Sequence, residues 1–224
     1  MNFHHASLLP RNLTLLEAEY KLKELYENCI LIGVDEAGRG PLAGPVVAAA
    51  TVLKNVESLP ENLNDSKKLS EKLREQILEK LPNYCQFHSI GEASALEIDE
   101  IGILNANFMA MRRALNPLIS QLAEKNLPYK ILVDGNLYIR EMEKAVQMPI
   151  IKGDGRVACI AAASIFAKVY RDKLMAKYGE QFPNYRFARH KGYGTRAHLA
   201  EIKEFGLCDI HRKTFRNAFS KLSL

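Results

Sequence analysis

The chain has 224 residues, 47% of them hydrophobic and 25% charged, with a formal net charge of +5 and a pI near 8.9. That is enough apolar material for one larger α/β domain with its own core, which excludes a disordered chain and a scaffold that depends on disulfides. The modest positive charge suits an anionic partner such as nucleic acid without requiring one.

Residues 1–29 differ in character from the rest and are expected to form an N-terminal extension, a peripheral flap with one short amphipathic helix that Thr14 caps. Cys29 to Asp35 and Pro45 to Leu53 are apolar runs joined by a glycine-rich loop, which predicts a central hairpin; Tyr84 to Gly91 is a third, weaker strand. Between them, Ser70 caps a helix running to about Leu81. From Ala93 to Lys125, Met109, Met111, Leu115, Leu118 and Leu122 recur near the 3.6 period, predicting two helices broken near Gly102 and stopped at Leu127-Pro128. Tyr129 to Asp134 and Met148 to Ile151 read as strands buried on both faces. A long helix follows, from about Val157 through an alanine-rich start to Met175.

The expected fold class is α/β: a mixed five-stranded sheet, three antiparallel strands then two parallel, flanked by helices. A domain over residues 30–180 would carry the chemistry, and residues 181–224, rich in Arg, Lys, His and aromatic residues, would form a helical C-terminal lobe packed on it. Cys29, Cys85, Cys159 and Cys208 lie singly, as reduced thiols do, and not as a zinc site or a disulfide framework. No stretch approaches the roughly 18 to 20 apolar residues of a membrane span, and the N-terminus lacks the plan of a secretory signal. The expectation is a cytoplasmic protein with no membrane partner.

The chemistry concentrates in acids at strand ends. Gly33-Val34-Asp35-Glu36-Ala37-Gly38-Arg39-Gly40 sets two carboxylates and a Gly-Arg-Gly turn directly after an apolar run; Asp134 ends one strand, and Asp154 follows another. In open α/β sheets ligands gather at strand ends, and clustered carboxylates stay ionised only beside a hard divalent cation. Two such ions about 3.5 to 4 Å apart would hydrolyse a phosphodiester. Adjacent residues on a regular strand face opposite ways, so Asp35 and Glu36 share one site only if the pleat breaks, for which Gly38 and Gly40 give an opportunity.

Each piece also has a plainer reading. Asp134-Gly135-Asn136 and Lys152-Gly153-Asp154 suit tight turns, and Asp154 could simply cap the next helix. Lys67-Lys68 could be a solvated helix entry, Ser164 and Lys168 packing and surface residues, and Asp172 an ion pair with Arg171. His88, His198 and His211 show no ligand spacing. It is the conjunction of the acids that points to a metal site.

The blocks Gly33 to Val46, Asn64 to Ser70, Asp134 to Asn136, Lys152 to Asp154, Ala161 to Val169 and His190 to Thr195 stand in an order that resembles bacterial ribonuclease HII, the type 2 ribonuclease H family. The resemblance covers about Ile30 to Phe215 and leaves residues 1–29 outside. It implies an RNase H-like fold and Mg²⁺- or Mn²⁺-dependent cleavage of RNA in RNA-DNA hybrids, including a single ribonucleotide embedded in duplex DNA. Cleavage would fall 5′ of the ribonucleotide and leave a 3′-hydroxyl and a 5′-phosphate. By the same resemblance Asp35, Glu36, Asp134 and Asp154 are the metal-binding acids. Gly38, Arg39 and Gly40 sense the 2′-hydroxyl, Tyr193 packs on the adjacent deoxyribose, and Lys67, Ser164 and Lys168 contact phosphates. The protein would act as a monomer. The tail Phe219 to Leu224 has a faint likeness to peptides that dock on replication sliding clamps. The competing reading is a catalytically silent nucleic-acid binding module of the same fold, against which the four intact acids speak.

Overall fold

The side chains of Ile30–Ala37 alternate between two apolar layers, and the computed structural model, which describes residues 9–10, 12–54, 57–63 and 69–215, is built around that segment. As β1 it pairs antiparallel with β2 (Val46–Leu53), which pairs antiparallel with β3 (Cys85–Ala93). On its other side β1 runs parallel to β4 (Tyr129–Asp134), and β4 runs parallel to β5 (Gln147–Ile150). The order β3-β2-β1-β4-β5 is the mixed sheet that the apolar runs predict. Every residue of β2 is buried, as a central strand covered on both faces requires.

Leu31, Val47, Ala49 and Leu132 face the long helix α5 (Ala158–Gln181), which dominates that side of the sheet. Its first turns, Ala158 to Ala163, are wholly buried. They come so close that a Cβ on Gly33 would collide with the Cys159 backbone, and the Thr51 hydroxyl donates to the Cys159 carbonyl at 2.6 Å. The opposite face, with Ile32, Val34, Ala48, Ala50, Ile131 and Val133, packs on α3 (Ala95–Ile101) and α4 (Ile103–Glu124). Gly102, at φ 77°, makes the break expected between those two helices. Ser94 caps α3 in a capping box, and Ser70 caps α2 (Glu71–Lys80).

The N-terminal helix α1 (Leu15–Leu25) begins at the capping box of Thr14 and Glu17 but is no peripheral flap. Ala18 and Leu22 are buried in the α5-side core, and the Glu19 carboxylate accepts a hydrogen bond from Cys159 N at 3.2 Å. The reason lies in α5, whose N-cap residue Val157 makes no side-chain cap bond, so its buried first N–H groups, which have no acceptor within the helix, take a carboxylate from elsewhere. β5 ends at Ile150, one residue before the expected limit, and α5 continues past Met175 to Gln181. Beyond it, α6 (Phe187–His190) and α7 (Arg196–Phe205) enclose a third apolar cluster of Met175, Tyr185, Phe187 and Ile202, which closes on Leu42 and Ala43 of the β1–β2 loop. Among the described residues no helix is long and apolar enough to cross a membrane.

Candidate active site

Val34 of β1 stands opposite Val133 of β4 in the parallel pair. The next residues, Asp35 and Asp134, therefore lie at one height and on one face, the α5 face. After β5 the chain turns through Lys152, held in the left-handed region at φ 57°, into a 3₁₀ turn over Gly153–Gly155. Asp134 Oδ1 accepts from Gly153 N at 2.7 Å and Asp154 N at 3.3 Å, and this folds the turn back over the end of β4. Asp35, Asp134 and Asp154 thus each present a carboxylate oxygen, all within 4.8 Å of one another. Asp154 is not the cap of α5, a place that Val157 occupies.

Glu36 is not part of that cluster. β1 remains regular through Ala37, with Glu36 opposite Ala48, so the break in the pleat comes too late to swing both acids to one side. The Glu36 side chain faces α4 instead, where Oε2 accepts from Asn107 Nδ2 and Oε1 from Arg39 Nη1, both at 3.3 Å.

Asp35 Oδ1 accepts from Glu36 N at 2.7 Å, while Oδ2 is buried with no hydrogen-bond partner among the described residues. Burial first, then the neighbouring Glu36 and Asp134 carboxylates, push the Asp35 carboxyl well above its ordinary value, against the pull of the Glu36 N–H and the Ser164 hydroxyl of α5. A buried oxygen lacking a donor, inside a ring of carboxylates, fits a hard divalent cation that takes oxygen ligands.

The loop after β1 carries the substrate-side candidates. Between residues 31 and 50 only Arg39 and Gly40 are exposed. Gly38, at φ 97°, lies so close to the Arg171 side chain that a Cβ there would collide with it. Leu42 N donates to the Gly192 carbonyl at 2.8 Å, which fastens this loop to the turn that presents Tyr193, 43% exposed. Ser164 and Lys168 lie one turn apart on α5, and Lys168 Nζ is held by both Asp172 oxygens at 2.6 and 2.7 Å. Asp172 therefore pairs with Lys168 and, at 3.7 Å, with Arg74, not with Arg171 as its neighbour in sequence suggested. The i, i+4 spacing aligns Lys168 with Asp172 on one face, while adjacent helical residues diverge. Lys67 lies outside the described residues, as does the tail Phe219 to Leu224.

Three residues whose part in the site the sequence did not reveal hold this region together. Asn107 orients Glu36, and Arg171 and Arg212, both fully buried, thread the β1–β2 loop. Arg212 sat in a stretch that reads only as basic, and nothing in its spacing marks it. Of the histidines without ligand spacing, His88 stacks on Phe166, while His198 and His211 are buried with their Nε2 atoms 3.0 Å apart; His198 also stacks on His190, whose Nε2 meets Glu201 at 2.8 Å. Burial pushes His198 and His211 down to about 4.

Among solved structures the chain is similar to the ribonuclease H2 of Pyrococcus horikoshii, with a TM-score of 0.59 and 25% identity over 86% of this chain and 98% of that one. It is also similar to the RNase HII of Archaeoglobus fulgidus, solved in a complex with PCNA, with a TM-score of 0.64 and 26% identity over 87% and 97%. This fold, with carboxylates gathered where β1 and β4 end, defines a metal-dependent hydrolase of RNase H-like architecture. The family profile described as Ribonuclease HII matches residues 32–220. The ribonuclease HII of Fusobacterium nucleatum is 49% identical over 191 residues, 85% of this chain and 86% of that protein, and that of Coxiella burnetii is 50% identical over 188 residues, 84% and 89%. The chain belongs to the ribonuclease HII family, and is an endoribonuclease of RNA-DNA hybrids.

Proposed function

We propose that Asp35, Asp134 and Asp154 hold two divalent ions, Mg²⁺ or Mn²⁺, and that the enzyme cuts 5′ of a ribonucleotide, leaving a 3′-hydroxyl and a 5′-phosphate. The observation that carries this reading is the buried Asp35 Oδ2, unpartnered among the described residues, within a carboxylate cluster and four residues before Arg39 in a loop that offers exposed Arg39 and Gly40. When bound, such ions supply an activated water and charge stabilisation for the departing 3′ oxygen. The protein's own groups orient the strand around that centre. Gly38, Arg39 and Gly40 meet the 2′-hydroxyl, while Ser164, Lys168 and Lys67 take phosphates. Tyr193 packs on the deoxyribose beyond, which makes a single ribonucleotide in duplex DNA a substrate as well as a longer hybrid.

Glu36 acts from the opposite sheet face as the fourth acid: its charge bears on Asp35, and its carboxylate steadies Arg39. We infer a cytoplasmic monomer. A sliding clamp is a further partner, reached through the C-terminal tail; support is the faint likeness of that tail to clamp-docking peptides and the PCNA complex of the Archaeoglobus relative. Deleting Lys221 to Leu224 should then weaken clamp binding, and unchanged binding removes that partner.

Product mapping on a duplex with one embedded ribonucleotide tests the main reading, since it reads activity, sugar selectivity and cleavage side together. The expected product ends in a 3′-hydroxyl immediately upstream of the ribonucleotide, and Asp134→Asn yields none while still binding the duplex. Cleavage of an all-DNA duplex at a similar rate, or full activity in the variant, would overturn it; binding without product at any divalent-ion concentration would favour the silent module.

A further inference from the structure

The carbonyl groups of the β1–β2 loop are almost all spoken for by two arginines. Arg212 Nε donates to the Gly44 carbonyl at 2.9 Å, Nη1 to those of Arg39 and Pro41 at 3.0 and 2.8 Å, and Nη2 to that of Gly38 at 2.6 Å. Its backbone N–H takes the Leu42 carbonyl at 2.8 Å, in a segment where His211 bridges Ala43. Arg171 takes the Ala43 and Pro45 carbonyls at 3.1 and 3.0 Å, and its Nη1 takes that of Lys191 at 3.0 Å, at the base of the Tyr193 turn.

From Gly38 to Pro45, then, one carbonyl receives no donor among the described residues, that of Gly40. It lies at the exposed tip, where the N–H groups of Arg39 and Gly40 likewise find no acceptor among the described residues. A hydroxyl is both donor and acceptor, and a tip offering one free carbonyl beside free N–H groups suits it, whereas a deoxyribose hydrogen would leave both unmet. Arg212 has no carboxylate bonded to it among the described residues; its guanidinium lies over the Phe215 ring and gives its hydrogen bonds to this backbone.

We propose that Arg212 is the positioning residue for ribose selection: by drawing the loop carbonyls inward it leaves the Gly40 carbonyl and the neighbouring N–H groups as the complementary pair for a 2′-hydroxyl. This rests on the reading of the loop in the preceding subsection. Lysine would keep the charge but has three donors on one point in place of a planar fork, and cannot span four carbonyls. Arg171 fixes the adjoining side of the loop and couples it to the Tyr193 turn, so the two arginines divide the loop between them.

The test compares, by fluorescence anisotropy with chelator present so that nothing is cut, the affinity for a duplex carrying one ribonucleotide with that for the same duplex in all-DNA form. The ratio of the two affinities is independent of the fraction of folded protein, which a merely structural role would alter. R212K should lower the ratio by roughly tenfold, or to unity, as expected for losing one or two charged hydrogen bonds. A ratio retained in R212K overturns the proposal and leaves the functional reading standing. A wild-type protein with no preference overturns both. If R212K does not stay folded, Arg212→Ala in the presence of methylguanidinium decides: the ratio must return with that cation and not with methylammonium, and a failure to return overturns the proposal.

Discussion

Replacing Asp35 by Asn should kill activity and, in chelator, make the protein more stable. Asp35 shares a 4.8 Å cluster with two other carboxylates, and at an effective dielectric of 20 two unit charges at that separation repel by roughly 3.5 kcal/mol. Asparagine removes that repulsion but introduces an amide N–H in a buried place, which costs about 1–3 kcal/mol if it goes unpaired. The balance is a gain of about 1–2 kcal/mol, or roughly 2–8 °C in melting temperature for a chain of this size. The pH dependence has a definite sign. The folded Asp35 carboxyl is raised above its ordinary 3.8, so the folded, metal-free protein holds that proton more tightly than the unfolded chain. Its contribution is fully present below pH 3.8 and is lost as pH rises through the raised value, so the variant's advantage widens towards neutral pH. Divalent ion at about 100 times its dissociation constant stabilises the wild type by about 2.7 kcal/mol and reverses the order. Thermal unfolding with EDTA and with Mg²⁺ or Mn²⁺, at acid and neutral pH, reads all of this. A variant that melts several degrees below the wild type in EDTA, with both raised equally by metal, would refute the assignment of Asp35.

Three further perturbations reach other parts of the structure. Tyr193→Ala should cost a single-ribonucleotide duplex at least roughly fivefold in kcat/KM, from a lost stack of about 1–3 kcal/mol, and a long hybrid less; equal losses on both would remove its role at the junction. Gly33→Ala would drive a methyl into the Cys159 backbone and part β1 from α5, with a cost of about 1–3 kcal/mol seen as a lower melting temperature. An unchanged melting temperature would show that the two elements do not pack as described. Glu19, raised above its ordinary 4.5 by burial, stabilises the fold fully only below that pH and loses its contribution as pH rises through the raised value. Relative to Glu19→Gln, the wild type should therefore lose stability as pH rises above 4.5 in urea titrations, and parallel pH profiles would contradict the burial of its charge.

Local patterns carried most of the architecture because they are satisfied locally. The caps at Thr14 and Ser70, the helix break at Gly102 and the apolar strand Tyr129–Asp134 need no distant partner to be read. Three of the four expected acids meet, since parallel pairing with Val34 opposite Val133 delivers Asp35 and Asp134 to the same face once the strands are placed. What the sequence did not reveal depends on long-range closure. The landing of α1 on the first turn of α5 spans residues 19 and 159, and the grip of Arg212 on Gly38 spans residues 38 and 212. No periodicity or motif records which carbonyls a buried guanidinium will find.

The strand alternation that separates Asp35 from Glu36 gives the two acids different neighbours, and this in turn ties both helical layers to one strand end. Asp35 looks to α5, where Ser164 and Lys168 lie, while Glu36 looks to α4 through Asn107 and to the loop through Arg39. A shift of β1 by one residue would exchange these environments, burying Glu36 under α5 and turning Asp35 towards Asn107. Gly33 guards against that slip, since any other residue of β1 brought under Cys159 would carry a Cβ where none fits. The same glycine that permits the close approach of α5 therefore also fixes which carboxylate joins Asp134 and Asp154.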